Sequence, residues 1–288
     1  MAGRPENNTT SYSHPQESHL YSVHYAMEYN ALGQPIIRTT GDTYNWSINL
    51  SAGNIEGQSF IEKFGRNDTM SGNIETIWDG SNLYTYLTSA SSVYITSSSG
   101  NDAVAGTGAR TIEVQGLDEN YDVATETINV DDGASTTTFI RVFRARVVTT
   151  GSGGQADGII SIRSASGGGG TLLAQIQRVG TGSGASLGQT FMALYTVPAG
   201  KTAYLTQWIV GAGGQNADTT AFFMARPFDS DTAFNAKDII ISAGQQFAKE
   251  YKVPLQFTEK TDLEVRGFTS SAGNDCSSTF NLILIDNE

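Results

Sequence analysis

Apolar and polar residues alternate with a period of two along most of the chain from about residue 36. Ile112 and Val114 give a clear example, and the segment that contains Phe139, Arg141, Phe143 and Arg144 is long enough to be a central strand. A period of two sends successive side chains to opposite faces of a sheet, so these segments predict β-strands. The strands predicted in the first part of the chain are Ile36–Thr39, Tyr44–Leu50, Ser59–Phe64, Ile74–Trp78, Leu83–Leu87, Val93–Thr96, Thr111–Gln115, Ala124–Val130, Thr138–Val148 and Ile159–Arg163.

Two Gly-rich stretches, 151–157 and 164–170, interrupt this pattern and indicate a domain boundary. Eight more strands follow, which is the number that a jelly roll needs. The fold class predicted is therefore all-β, with an N-terminal arm (1–43) followed by two antiparallel, jelly-roll-like β-sandwiches (44–165 and 166–288). The strands predicted in the second part are Leu172–Val179, Gln189–Val197, Thr202–Val210, Thr220–Arg226, Asp238–Ile241, Gln245–Lys252, Asp262–Phe268 and Thr279–Ile285.

The first 19 residues are polar and show no periodicity, which indicates an arm. Residues 18–31 have apolar positions at steps of three and four, with Ser18 as a cap and Gly33 as a stop, and this pattern predicts a helix. An extended segment lying on a partner subunit fits the same residues. We expect the arm to dock on a neighbour through His14, His19, Leu20, Tyr21, Val23, His24, Tyr25, Met27 and Tyr29.

Composition narrows the function classes. The 288 residues carry a formal net charge of −12, which disfavours binding to nucleic acid or to an anionic membrane. A single cysteine, Cys276, excludes an internal disulfide and a thiolate zinc site. The longest apolar run, Leu282–Ile285, is too short to span a bilayer, and the start of the chain lacks the apolar core of a secretory signal.

Two motifs resemble catalytic or nucleotide-binding signatures. Gly184-Ala185-Ser186-Leu187-Gly188 matches a nucleophile elbow, but no histidine follows His24 and no helix pattern follows the serine. Gly200-Lys201-Thr202 resembles the end of a P-loop, but Tyr195 stands where the first glycine must be. The first motif is expected by chance in a Gly/Ser-rich chain, and the second is predicted to be a turn whose lysine flanks a strand.

The remaining candidates have ordinary structural explanations. His14, His19 and His24 are spaced by five, so neither a helix nor a strand groups them for a metal. The carboxylates at 118–122, 131–132 and 229–231 fall at predicted turns, and calcium stays an open minor alternative. No His or Lys neighbours Cys276 in the sequence to activate its thiol. The three tryptophans are predicted to be core residues, although one exposed indole would suit sugar binding: Trp46, Trp78 and Trp208.

Several segments resemble a family of virion structural proteins from tailed bacteriophages of the marine type, over roughly residues 44–288. The resemblance implies an all-β assembly component and brings no catalytic motif, cofactor or metal with it. The segments that carry it are Ile55–Asn67, Glu75–Gly80, Leu83–Thr85, Ala105–Thr111, Val114–Asp118, Tyr121, Arg141–Arg144, Val197–Thr202 and Phe257–Arg266.

The resemblance implies a non-enzymatic protein on the outer surface of the virion, assembled in the host cytoplasm. The first hypothesis is a capsid decoration or cement protein that docks on the major capsid protein or other virion proteins. The second is a neck, tail or fibre component that touches the host surface, for example a carbohydrate. A third hypothesis, from another class, is a carbohydrate-active or carbohydrate-binding protein. A homo-oligomer is expected, and a trimer suits stacked sandwiches in a virion.

Overall fold

A computed structural model describes residues 26–29, 35–38, 43–179, 184–213, 218–228, 233–271 and 273–287. They form two compact units, 1–54 and 55–288. The elements, in chain order, are β1 (Ala26–Tyr29), β2 (Pro35–Arg38), α1 (Thr43–Ser51), β3 (Gln58–Met70), β4 (Glu75–Thr76), β5 (Ser91–Ser97), β6 (Ala109–Leu117), β7 (Val123–Asn129), β8 (Ala134–Phe139), β9 (Arg141–Thr150), β10 (Ile160–Arg163), β11 (Leu172–Ile176), β12 (Leu194–Thr196), β13 (Lys201–Ala212), β14 (Asp218–Arg226), β15 (Asn235–Ala243), β16 (Gln246–Phe257), β17 (Asp262–Thr269) and β18 (Asn274–Asp286).

The first unit corrects two predictions about secondary structure. Residues 26–29 are a strand paired antiparallel with β2, whereas a helix was predicted over 18–31. Residues 43–51 are a helix, whereas Tyr44–Leu50 was predicted to be a strand. The other residues of the predicted helix lie outside the described residues.

Gly53 explains why the second prediction failed. This glycine has φ +71°, and its amide and the next one bond back to the last turn of the helix: Gly53 N donates to Leu50 O at 3.1 Å and Asn54 N to Asn49 O at 2.8 Å. Such a Gly-terminated ending is common in α-helices and is a sequence signal. The strand prediction relied on the alternation of Trp46, Ile48 and Leu50 and did not use this glycine signal. In the helix, only Leu50 of these three residues is buried.

Eight strands of the second unit form a jelly roll, as predicted for the fold class. They are β3 and β12–β18, arranged as the sheets β16-β13-β18-β3 and β12-β17-β14-β15. Taken in chain order, the first strand pairs with the eighth, the second with the seventh, the third with the sixth and the fourth with the fifth, all antiparallel. This nested pairing is what a long hairpin rolled onto itself produces. The short β4 pairs with β17 beside the second sheet.

A smaller sandwich is inserted between the first and second strands of the roll. Its sheets are β11-β10-β5-β8 and β7-β6-β9, both antiparallel. Buried side chains recur at every second residue where the strands cross its core, as at Ile112, Val114, Ile160 and Ile162. The predicted alternation therefore describes the faces of these strands correctly.

The predicted boundary between the sandwiches does not lie at 165/166. That point falls between β10 and β11, which pair with each other. β3, assigned by prediction to the first sandwich, instead pairs with β18 over Gln58–Met70. The roll thus takes its first strand from before the insertion, and the predicted strand at Leu172–Val179 belongs to the inserted sandwich as β11. Sequence alternation reveals strands but not their partners, which is why the boundary was misplaced.

The two sandwiches share one continuous hydrophobic core. In the jelly roll, Phe223 of β14 contacts three rings of the facing sheet, with centroids 5.2 Å from Phe280, 5.7 Å from Trp208 and 6.0 Å from Phe257. The inward positions of β13 shift from odd to even numbers after Leu205, because a bulge at Thr206 breaks the register. Two predicted strands, Leu83–Leu87 and most of Gln189–Val197, are extended connections without a full ladder.

Candidate functional site

A buried ion cluster joins the inserted sandwich to the jelly roll. Arg141, at the start of β9, donates through Nε to Asp262 Oδ1 at 2.7 Å and through Nη2 to Oδ2 at 3.0 Å. Asp262, at the start of β17, also accepts from Arg226 at 2.6 Å and from the Thr196 hydroxyl at 2.6 Å. Asp262 is 2% exposed, so this carboxylate is satisfied entirely by protein donors. We call these four residues the joint.

Aromatic rings enclose the two arginines of the joint. The Tyr86 ring lies 5.0 Å from the Arg141 guanidinium and 4.7 Å from that of Arg226, and Phe234 covers Arg226 from another side at 4.7 Å. Burial lowers the pKa of Arg141, but the hydrogen bonds and charge of Asp262 outweigh it and the net shift is upward. The geometry therefore favours a structural ion pair, whose donors and acceptors already bond to each other, over an acid/base group.

A second buried carboxylate lies two residues along β17. Glu264 is fully buried and accepts from the Tyr86 hydroxyl at 2.8 Å and from Arg266. Burial raises the pKa of Tyr86 well above its usual value, with the charge of Asp262 adding to the effect. The phenol therefore stays protonated and serves as a hydrogen-bond donor in this cluster.

Burial shifts the pKa of two further groups to near neutrality. Lys63 of β3 is buried and donates from Nζ to the carbonyl of Phe143 in β9; burial and the nearby charge of Arg144 lower its pKa to about 7. Asp79 accepts from Phe191 N at 2.9 Å, and burial raises its pKa to about 7. The hydrogen bonds of both side chains are to backbone atoms of neighbouring segments, the Phe143 carbonyl for Lys63 and the Phe191 amide for Asp79.

Asp102 is the best-satisfied carboxylate of the inserted sandwich. It is fully buried and accepts from the backbone amides of Ala109, Asp157 and Gly158 and from the Ser97 hydroxyl, at 2.6–2.8 Å. These four donors leave its oxygens occupied, so it organises two loops. Within the described part of the chain, no three His, Cys, Asp or Glu side chains come together as a metal site.

The motifs singled out in the sequence serve local structure. Ser186 forms an isolated bridge with Arg178, and its hydroxyl accepts from Gly188 N at 3.1 Å. Lys201 begins β13 after a turn and pairs with Asp286, as predicted for a strand-flanking charge. Asp118 closes its own turn by accepting from the amides of Asn120 and Asp122. These contacts confirm turns where chemistry was considered.

The remaining candidates divide by burial. Trp78 and Trp208 are buried, which confirms their prediction as core residues, whereas Trp46 on α1 is 43% exposed. Cys276 is buried, and burial raises the pKa of its thiol to about 12. The carboxylates at 229–231 and most of the proposed docking arm lie outside the described residues, namely His14, His19, Leu20, Tyr21, Val23, His24 and Tyr25. Met27 and Tyr29 fall in β1.

The two long sides of the jelly roll differ sharply. The side formed by β3 and β12, which we call the covered side, meets the inserted sandwich: the rings of Phe143 in β9 and Tyr195 in β12 are 5.0 Å apart, and Lys63 of β3 donates to the Phe143 carbonyl. The opposite side, formed by β15 and β16, we call the bare side. Each of these strands pairs with one described neighbour only.

Most side chains of the bare side are exposed, including large apolar ones. Nine of the twelve residues of β16 are exposed, and Val253 reaches 81%. Asp238 of β15 bridges the two edges by accepting from Lys249 and from the Tyr251 hydroxyl, both at 2.6 Å. Exposed strand edges with apolar side chains are typical of protein–protein contact surfaces.

The outward face of β15 extends this surface over the neighbouring strands. Ile239 and Ile241 are 50% and 60% exposed and stand opposite Phe222 and Thr220 of β14. The Phe222 ring stacks on that of Phe268, with centroids 6.2 Å apart. Four large apolar side chains thus share one half-exposed sheet face.

Comparison with known proteins adds little. No family model matches the sequence, and no curated protein is similar to it. Among solved structures, the chain is similar to a chain in the structure of infectious bursal disease virus, Gx strain, with a TM-score of 0.23 and 11% sequence identity; the match covers 80% of this chain and 72% of that chain. It is also similar to a chain in the structure of the Gt strain, with a TM-score of 0.20 and 10% identity, and that match covers 81% of this chain and 77% of that chain. TM-scores this low do not establish a common fold.

The joint was missed by sequence reasoning. Arg141 was noted only as part of a strand, and Asp262 and Arg226 only as strand ends. The available signal was a charged residue at the first or last position of an otherwise apolar strand in a chain with only 16% charged residues. That signal identifies each residue but not its partner.

No helix among the described residues is long and apolar enough to cross a membrane.

Proposed function

We propose that this protein is a non-enzymatic structural component of a virus particle, and specifically a decoration protein on the outer surface of the capsid. The observation that carries the proposal is the joint. Arg141 and Asp262 lie in two of the segments that resemble phage virion proteins, and each is the other's main partner. The most distinctive charged residues of these segments therefore hold two sandwiches together instead of forming a reactive site.

The use of the other polar groups supports the same proposal. The serine, lysine and carboxylates that resembled catalytic or binding motifs close turns or end strands. The buried carboxylate of Asp102 accepts four hydrogen bonds from protein donors, and that of Glu264 accepts from Tyr86 and Arg266. A general acid or base needs free hydrogen-bonding capacity toward a substrate. A rigid scaffold with exposed strand edges fits assembly better than catalysis.

In this proposal the partners are the major capsid protein and further copies of this chain. Residues 1–43 form the docking segment, and the double sandwich faces outward. The net charge of −12 suits a protein that stays soluble before assembly and has no contact with the packaged genome. A homo-oligomer is expected, since closed virus shells are built from repeated contacts.

Particles from a host that propagates the virus would test the proposal. Quantitative mass spectrometry should find copies on the order of hundreds per particle, because a decoration protein repeats with the capsid lattice. Particles lacking the gene should lose surface density and release DNA at a lower temperature than wild-type particles. Copies in the tens or fewer would favour the neck, tail or fibre alternative, and absence from purified particles would reject both.

A further inference from the structure

The outer edge of β16 carries a self-complementary sequence. We propose that two copies of this chain associate about a two-fold axis through Tyr251, with β16 pairing antiparallel to the partner's β16. The pairing would join two four-stranded sheets into one continuous eight-stranded sheet. It adds a contact that the proposed virion role does not require, and it would hold for any function of the protein.

The outer edge of β16 has backbone N–H and C=O groups that no other described strand pairs with. Among the described strands, β16 pairs only with β13, so one side of its twelve residues has no backbone partner there. Exposed apolar side chains accompany it, since Phe247 is 45% and Val253 81% exposed. An edge of this length with apolar side chains is a ready template for another strand.

The charges of Glu250 and Lys252 favour one register of the β16–β16 pairing and a second copy of this chain as the partner. An axis at Tyr251 places Glu250 of each copy opposite Lys252 of the other, which gives two opposite-charge pairs by symmetry. It also places Phe247 opposite Leu255. An axis at residue 250 would place Glu250 opposite Glu250 of the partner, and an axis at residue 252 would place Lys252 opposite Lys252 of the partner. Both arrangements bring like charges together, which is unfavourable. The chain is therefore complementary to a second copy of itself.

The proline and the bulge of β16 are compatible with this register. Residues 251–254 of β16 face Thr206 alone on β13, so this segment bulges away from its own sheet. With Tyr251 on the axis, we assign the backbone hydrogen bonds between the chains to the residues of odd number. Pro254, which has no N–H, has an even number and faces Ala248 without being needed as a donor.

A competing explanation uses the same residues to keep the edge unpaired. Lysine, proline and bulges on edge strands commonly block aggregation. Under that explanation the protein is a monomer, and reversing a charge on β16 changes nothing in its association. Under ours, each lysine has an acidic partner: Lys249 pairs with Asp238 within its own chain, and Lys252 with Glu250 of the partner copy.

Sedimentation equilibrium of the full-length protein, from about 1 µM to 1 mM, would test the proposal. We expect a monomer–dimer equilibrium that Glu250→Lys weakens by about tenfold or more, because it creates two like-charge pairs. Lys252→Glu should do the same, and the double variant E250K/K252E should restore the dimer. Lys237→Glu, on the bare side but outside the register, is the matched control and should leave the dimer within about twofold of wild type.

Three results would overturn the proposal. They are a monomer throughout the concentration range, a dimer that the single reversals leave unchanged, and a loss of association that the double variant does not restore. Unchanged circular dichroism of all variants would show that the exposed substitutions leave the fold intact. As a check on register, Tyr251→Cys should form an inter-chain disulfide in the oxidised dimer, whereas Ile241→Cys should not.

Discussion

The covered and bare sides of the jelly roll each consist of one edge strand from each sheet, but only the covered side packs against the inserted sandwich. β3 and β12 form the covered side, and the chain between them makes the inserted sandwich. β15 and β16 form the bare side and are joined directly by the tight turn at 244–245. The position of the insertion in the chain therefore decides which edge of the roll is protected, since an insertion emerges where its flanking strands lie.

The difference also sets where charge is buried. On the covered side, Asp262 and Lys63 are buried with specific partners, and Asp79 is half-buried and accepts from Phe191 N. On the bare side, Asp238 and Lys249 form a similar pair at the surface, with the lysine side chain 47% exposed. The ion pairs of the two sides therefore differ in how much their loss should destabilise the fold, because those of the covered side are buried and that of the bare side is partly exposed.

The largest effect is expected at the joint. Asp262→Ala would leave the buried Arg141 and the partly buried Arg226 without their carboxylate, and removing one partner of a buried pair costs about 3–5 kcal/mol. Urea unfolding should show this loss. Arg146→Ala is the control, because its pair with Glu113 lies at the surface, where water screens the charges, so its loss should be much smaller. Equal effects of the two variants would refute the special role of the joint.

The next effect is expected at Gly65 of β3. A Cβ at this position would lie 2.2 Å from Ala193 N and 2.3 Å from Ile77 O, so the backbones of the covered side could not keep their spacing. Gly65→Ala should therefore cost about 1–3 kcal/mol in the free energy of unfolding. Gly72→Ala, whose nearest neighbour would be 3.8 Å away, is the control. A loss confined to Gly72→Ala would contradict the packing described here.

Lys63 should make stability depend on pH in the alkaline range. Its pKa is about 7 in the folded protein and 10.5 in the unfolded chain, so the unfolded chain binds more protons between these values. Stability should therefore rise with pH from about 7 to 10.5, and Lys63→Met should remove that rise. Chemical unfolding at pH 7 and pH 9.5 compares the two proteins. An unchanged slope in the variant would place the titrating group elsewhere.

Asp79 should act in the opposite direction at lower pH. Its pKa is about 7 when folded and 3.8 when unfolded, so the folded protein binds more protons in that range. This contribution to stability is complete below pH 3.8 and is lost as pH rises through 7. Asp79→Asn keeps an acceptor for Phe191 N and should flatten this part of the curve. Thermal melts from pH 4 to pH 7 would measure the difference.

The smallest effect is expected on the bare side. Val253→Thr and Ile241→Thr change side chains that are 81% and 60% exposed, so each should alter the unfolding free energy of the monomer by less than about 0.5 kcal/mol. Urea unfolding at a low protein concentration tests this. A loss above 2 kcal/mol in either variant would mean that the bare side is part of the fold's own packing.

Alternation along the chain was enough to predict an all-β sandwich fold and most of the strands, although one strand of the predicted jelly roll, Leu172–Val179, belongs to the inserted sandwich. The reason is that the period of two is a local property: a strand half buried in a sandwich must alternate whatever its partner is. The same reasoning placed Trp78 and Trp208 in the core and Lys201 at a strand start. It failed at Thr43–Ser51, where a short alternating segment is also compatible with one helix ended by Gly53.

Strand partners and the joint were decided only by the tertiary structure. β3 pairs with β18 although Arg66 and Asp275, which bond across them, are 209 positions apart in the chain. Likewise, Arg141 and Asp262 lie in separate segments, and nothing local in either one specifies the other. Pairing over such distances depends on how whole sheets close around a shared core, so a single sequence revealed the strands but not the inserted sandwich, the covered side or the joint.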